Sequence, residues 1–255
     1  MMAFETIVAF LVGLLIGSFL NVCIYRLPRD LSVVAPRSYC PHCERTIAWY
    51  DNIPVLSFLI LRGRCRHCGQ RIPIRYLLVE LTTAAAFAIS VASLGVSLAA
   101  VKWSVFSAFL IALIATDLEE RILPDEFTLG GTVLGLIFAA LSPFDHRMIS
   151  LGQSAFGAVI ASGVLWLVGW LYKKIRHREG LGLGDVKMLA MMGAFLGAPD
   201  TLLAFIAGSA FGAVTGVAYI LATRKDPSTY QLPFGTFLGA AALGVAIWGV
   251  LQPQL

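Results

Sequence analysis

The sequence predicts an all-α polytopic membrane protein of about eight transmembrane helices with one small polar insert. Three observations carry this. Hydrophobic residues make up 58% of the 255 and charged residues 13%, with a mean hydropathy of +0.81, a balance outside the soluble classes. Apolar runs recur at about 4–25, 77–95, 98–116, 127–142, 150–172, 187–198, 201–222 and 233–251. A helix crossing a hydrocarbon core about 30 Å thick needs roughly 17 to 25 such residues. Finally, the basic residues gather in alternate loops.

Taken in order, the first run has neither a basic n-region nor a small-residue cleavage site, so it is expected to be a permanent span and not a removed signal. The insert at 26–75 carries Arg26, Arg29, Arg37, Arg45, Arg62, Arg64, Arg66, Arg71 and Arg75 against Asp30, Glu44 and Asp51. Residues 173–187 add Lys173, Lys174, Arg176, Arg178 and Lys187, and residues 223–230 add Arg224 and Lys225. Eight spans put these three loops on one face, which the positive-inside rule makes cytoplasmic, with both termini outside. The loops near 96, 145 and 199 are short, poor in Lys and Arg, and face outward. The formal net charge of +4 is therefore a topology signal, and no nucleic-acid partner is inferred from it. The sixth run is the shortest. Small residues in GSAFGAVTG, 208–216, predict tight helix contacts within or between chains.

Inside the insert, CPHC at 40–43 and CRHC at 65–68 are separated by 21 residues. Two such pairs place four thiolates, Cys40, Cys43, Cys65 and Cys68, around one tetrahedral ion, and the separation is close to the usual zinc-ribbon range of about 15 to 20. Disulfides are the alternative, but a reducing cytoplasmic loop disfavours them. Four protein ligands leave no open coordination position, so the zinc is expected to be structural. His42 and His67 could substitute as ligands or stand exposed. Cys23, within the first run, reads as a small buried apolar residue. The segment IPVLSFLILRG, 53–63, is too short to span and is expected in the zinc module or at the membrane interface.

The third run ends in IATDLEERILPDEFTL, placing Asp117 at its cytoplasmic end and Asp125 after a proline; Asp185 follows the glycines at 180, 182 and 184. The predicted topology brings all three to one face, and an ionisable residue beside a span is costly enough to suggest function. Two neighbouring carboxyls resist joint ionisation and can share a proton, one acting as base toward water while the other polarises a carbonyl. This suits metal-free hydrolysis of a peptide bond. Gly182 and Gly184 leave backbone open for an extended substrate strand. Helix capping competes as an explanation and is preferred for Asp125, whereas Asp117 lies at a helix C-terminus where a negative charge is unfavourable. Lys187 is either an oxyanion partner or a snorkelling anchor. Glu119, Glu120 and Glu126, beside Asp117, read equally as a solvated loop face or as an acidic patch facing a substrate. A proton-coupled transporter and a non-catalytic docking protein are the readings from other classes.

GSFLNVCIYRLP at 17–28, the two cysteine pairs, PIRYLLVEL at 73–81, DLEERILPD at 117–125 and GLGLGDVK at 180–187 occur in an order that resembles the bacterial type IV prepilin peptidases over nearly the whole chain. The resemblance implies an inner-membrane aspartic protease of the GxGD class with catalytic Asp117 and Asp185. Such an enzyme removes the basic leader of type IV prepilins and type II secretion pseudopilins after a glycine, on the cytoplasmic face. It further implies N-methylation of the new terminal residue, usually Phe, with S-adenosylmethionine, although a peptidase without methylation stays open. The domains implied are 1–100, holding two helices and the cysteine loop, and 101–255, a six-helix peptidase. Methyltransferase candidates carried over are Gly17, Ser18, Asn21, Arg75, Tyr76 and Glu80, with a purely structural Glu80–Arg75 ion pair as the alternative for those two. Leu77 stands where the family often has proline.

Overall fold

The computed structural model describes residues 2–141, 148–177, 182–223 and 232–251; Gly180, Arg178, Arg224 and Lys225 of the preceding reading lie outside them. Helices dominate: α1 (Met2–Arg26), a short α2 (Leu56–Ile60), α3 (Arg75–Leu94), α4 (Leu98–Glu120), α5 (Asp125–Leu141), α6 (Leu151–Arg176), α7 (Leu183–Leu196), α8 (Ala198–Thr223) and α9 (Phe234–Leu251). The eight long helices follow the eight apolar runs. Six of them, α1, α3, α4, α6, α8 and α9, are long and apolar enough to cross a membrane, so the expected count of eight spans is reached in helices but not in length. At 17 and 14 residues, α5 and α7 measure about 25 and 21 Å at 1.5 Å per residue. The physical reason α7 can be short is that protein surrounds it. Met188, Leu189, Met191, Met192, Ala194, Phe195 and Leu196 are all buried, so this helix has little lipid to match.

The chain divides into two compact units, Met1–Ala115 and Thr116–Leu255. In the first, α1 and α3 pack along their length through α1 glycines. A Cβ on Gly13 would stand 2.6 Å from Ala84 Cα, and one on Gly17 would stand 2.7 Å from Glu80 Cα, so neither position accepts alanine without a backbone shift. Phe4, Ile7, Leu11, Leu15 and Phe19 point away from this seam and are exposed, as a lipid-facing surface is. The insert is anchored to the pair. Arg26, buried at the end of α1, donates to the carbonyls of Ser32 (2.9 Å) and Pro36 (2.8 Å). Within the insert, Asp51 receives two hydrogen bonds from Arg66 at 2.6 and 2.7 Å, which hold its carboxyl below the usual range. Of the apolar side chains of α2, Leu56, Leu59 and Ile60 are exposed, while Phe58 is half-buried over Gly63 of the same insert.

In the second unit α7 is the axis, touching α5, α6, α8 and α9. Gly157 of α6 and Gly193 of α7 meet backbone to backbone, a Cβ on Gly157 falling 2.5 Å from the Gly193 carbonyl oxygen. Buried Ser154 donates to the Ala194 carbonyl at 2.7 Å across the same seam. Gly135 of α5 admits Ala194 and Phe195. α6 starts with a reciprocal cap in which Ser150 and Gln153 satisfy each other's backbone N–H. The small-residue face of α8 is used within the chain: Gly208, Gly212 and Gly216 receive Leu238, Phe237 and Leu232.

Candidate functional site

Asp117 lies in the last turn of α4, and Arg121, at φ 55°, ends that helix. A carboxylate at a helix C-terminus is electrostatically misplaced with respect to its own helix. The fold corrects this with another helix. Asp117 Oδ2 accepts from the backbone N–H of Thr236 at 2.6 Å and from the Thr236 hydroxyl at 2.8 Å. Thr236 stands in the first turn of α9, where N–H groups lack helical partners and the helix dipole is positive, so Asp117 caps α9 while belonging to α4. The carboxylate is only 5% exposed.

Asp185 occupies the first turn of α7, and its N–H donates to the Gly182 carbonyl at 3.2 Å. Its carboxylate folds back over Gly182, where a Cβ would stand 3.1 Å from Oδ2. Asp185 lies within electrostatic range of Asp117. Leu123 is their shared wall. Its side chain would be 3.2 Å from a Cβ on Gly184 and 3.0 Å from one on Gly235, and the Gly235 position also borders Asp117 Cγ at 3.2 Å. The glycines thus clear space beside each carboxylate. A pair of carboxyl groups at two helix N-termini, one nearly buried and one half-buried, is equipped to activate water and polarise a carbonyl.

Asp125 begins α5 and accepts both of its contacts from Lys187, at 2.7 and 2.8 Å, tying α5 to the first turn of α7. Lys187 is therefore committed to an ion pair. Glu119 and Glu126 are exposed. Sequence reasoning missed Gly235 and Thr236. The only local signal is LPFGTF, a proline and glycine opening an apolar run.

In the first unit the four cysteine sulfurs lie within 4.8 Å of one another and could hold a metal ion. The two pairs fold alike. Cys40 N–H donates to Arg45 O and Cys65 N–H to Gln70 O, while Glu44 N–H returns to Cys40 O and Gly69 N–H to Cys65 O. The residue after each pair, Glu44 or Gly69, takes a left-handed φ of 56° or 70°. N–H groups of Cys68 and His67 aimed at Cys65 lower its thiol to about 7. Cys68, despite the Gln70 N–H, is pushed up to about 11 by desolvation and the neighbouring sulfurs. Such crowding of thiols is what a cation relieves. His42 and His67 are exposed, and Cys23 is buried.

The methyltransferase candidates line the α1–α3 seam of the same unit. Asn21 donates to the Tyr76 carbonyl at 3.0 Å, Glu80 accepts from the Val55 N–H at 2.7 Å and from the Ser18 hydroxyl, and Arg75 stacks on the Tyr76 ring at 4.8 Å. Asn21 Oδ1 and Thr83 Oγ1 are buried with no hydrogen-bond partner among the described residues.

Long apolar helices, two carboxyl groups brought near one another and a four-thiol insert define a class, polytopic helical membrane proteins with a metal-binding insert. Comparison with known proteins narrows it. Residues 11–94 match the model of the Bacterial Peptidase A24 N-terminal domain, and residues 104–217 that of the Type IV leader peptidase family. The chain is 38% identical to a prepilin leader peptidase/N-methyltransferase of Aeromonas hydrophila, over 94% of this chain and 89% of that one. It is 36% identical to the enzyme so named from Pseudomonas putida, over 97% and 92%. It is 42% identical to the one from Myxococcus xanthus, over 86% of this chain and 65% of the relative. The chain belongs to the type IV leader peptidase family. No solved structure matches it.

Proposed function

We propose that this chain is a bifunctional inner-membrane enzyme that removes the leader peptide of type IV prepilins and type II secretion pseudopilins after a glycine, and then methylates the new amino terminus, usually Phe. The observation that carries the first activity is the Asp117 carboxylate held by Thr236 within electrostatic range of Asp185. Water attacks the scissile carbonyl carbon and gives a proton to the ionised carboxyl; the protonated one gives its proton to the carbonyl oxygen. When the tetrahedral adduct collapses, the C–N bond breaks and the amine nitrogen leaves with a proton from the pair. Both lone pairs of Asp117 Oδ2 are engaged by Thr236, so these protons travel through Asp117 Oδ1 and Asp185. Gly182 and Gly184 leave room for the substrate backbone, and Glu119, Glu120 and Glu126 attract the basic leader. Lys187 and Asp125 support the site by tying its helices together.

The metal is zinc in a closed structural site: sulfurs about 2.3 Å from a tetrahedral ion stand about 3.8 Å apart, and Cys40 and Cys68 Sγ are 3.8 Å apart. Asn21 Oδ1 and Thr83 Oγ1, buried and without a hydrogen-bond partner among the described residues, suit a polar ligand, and Gly17, Ser18, Asn21, Arg75 and Tyr76 would border it. S-adenosylmethionine supplies the methyl group when bound there. The 26–75 insert and the carboxyl pair face the cytoplasm, with both termini outside. The labour divides along the chain, with the methyltransferase functions in about 1–100 and the peptidase in about 101–255.

The test is mass spectrometry of a prepilin incubated with the purified protein, with and without S-adenosylmethionine, beside Asp117→Asn and Asp185→Asn. Leader loss only with both aspartates, and one methyl mass only with the donor, is expected. Cleavage without methylation would leave a peptidase alone, and cleavage by either Asn variant would sink the pairing.

A further inference from the structure

The linker between the cysteine pairs contains a backbone outlier. Val55, twelve residues past Cys43 and ten before Cys65, has φ 61° and ψ −51°. Leu56 N–H donates to Pro54 O at 2.5 Å across it, which makes Pro54–Val55–Leu56 a γ-turn of the strained, positive-φ kind. For a β-branched side chain this conformation is a true exception, and it persists only where the surroundings impose it. The side chain that meets this turn is Glu80. The carboxylate of this buried residue, 7% exposed, accepts the Val55 N–H at 2.7 Å and is itself held by the Ser18 hydroxyl of α1. One side chain therefore joins α1, α3 and the middle of the insert. Arg26 grips the insert on the near side of its first cysteine pair, at Ser32, Pro36 and Arg37 and over the Tyr39 ring.

We propose that Glu80 is a positioning residue for methyl transfer: its carboxylate clamps the strained Val55 turn, and with it the metal-binding insert, onto the α1–α3 pair. The proposal rests on the methyltransferase reading of this unit. Its chemistry requires an acceptor at the end of a side chain of this length and does not require charge on the reacting groups. Without the clamp the turn relaxes to an ordinary conformation and the linker swings from the seam that Asn21, Arg75 and Tyr76 line.

The experiment compares wild type, Glu80→Gln and Glu80→Ala, full-length in nanodiscs. Hydrogen exchange is followed by mass spectrometry over residues 53–62, alongside methylation of cleaved prepilin, with leader cleavage reporting that each variant is folded. Loss of a hydrogen bond to a charged acceptor should speed exchange of this segment on the order of tenfold to a hundredfold in Glu80→Ala and slow methylation comparably. Glu80→Gln, whose amide oxygen still accepts, should lose about threefold to tenfold in both and so retain well more than Glu80→Ala, since the bond is kept and only its charge is lost. In a Val55→Gly background, where left-handed φ carries no strain, Glu80→Ala should change exchange less. Unchanged exchange in Glu80→Ala would overturn the clamp. So would a Glu80→Gln variant that keeps protection yet loses methylation as fully as Glu80→Ala, because Glu80 would then act by charge. If wild type itself does not methylate, the functional reading fails while the exchange comparison still decides the clamp.

Discussion

Thr236→Val is the sharpest test of how the carboxyl pair is built. Valine keeps the β-branch, the volume and the backbone N–H that lies 2.6 Å from Asp117 Oδ2, and deletes only the hydroxyl at 2.8 Å. A hydrogen bond to a charged group contributes about 1.5–3 kcal/mol. If the reaction needs the Asp117 carboxylate placed and charged as the hydroxyl holds it, the whole amount appears in the barrier, a loss of about tenfold to a hundredfold in rate. The fall should be in kcat with KM little changed, since Thr236 touches the carboxyl group. Thr236→Ser, which restores a donor without the methyl group, should recover most of the rate. The assay is single-turnover leader cleavage of a purified prepilin, resolved by mass spectrometry. Wild-type cleavage by the valine variant, or a serine variant as slow as valine, would refute the argument that this hydroxyl sets up Asp117.

Other substitutions separate packing from chemistry. Gly193→Ala forces a methyl group into the Gly157 backbone, and overpacking costs about 1–3 kcal/mol, so a lowered unfolding temperature in detergent is expected; an unchanged one would mean that the α6–α7 seam is loose. Lys187→Met removes a partly exposed ion pair with Asp125, worth at most about 1 kcal/mol, so cleavage should fall by no more than about fivefold. A loss of several orders of magnitude would return Lys187 to the role of oxyanion partner. Cys43→Ser removes one of the four sulfurs; metal content by elemental analysis should drop from one zinc per chain, with methylation lost more severely than cleavage. Full metal content in that variant would show that the four sulfurs do not share an ion.

Part of the site can be read directly along the chain because its determinants are local. A row of glycines before an apolar run marks the start of α7 and puts Asp185 in its first turn, and Pro124 does the same for Asp125 at α5. The CxxC spacing announces a knuckle because the turn, the left-handed residue after it and the returning N–H groups all fall within six residues. The partner of Asp117 leaves no such trace: Thr236 is 119 residues away, and nothing in LPFGTF says which carboxylate its N–H will meet. Lys187 and Asp125 are 62 residues apart, and neither position alone distinguishes an ion pair from a snorkelling anchor.

By itself the sequence determined the helical membrane class, the order of the eight helices, the four thiols and the placing of the carboxylates at helix ends, because periodicity, length and capping act over one or two turns. Only the tertiary structure decided that α7 is wrapped in protein, that Gly157 and Gly193 bring two backbones together, that Asp117 at the end of α4 caps α9, and that Glu80 meets a strained turn. Those are pairings between distant segments. Their free energy depends on which surfaces meet after the helices pack, and a single residue's chemistry fixes what it can bond to, not what the fold will bring it.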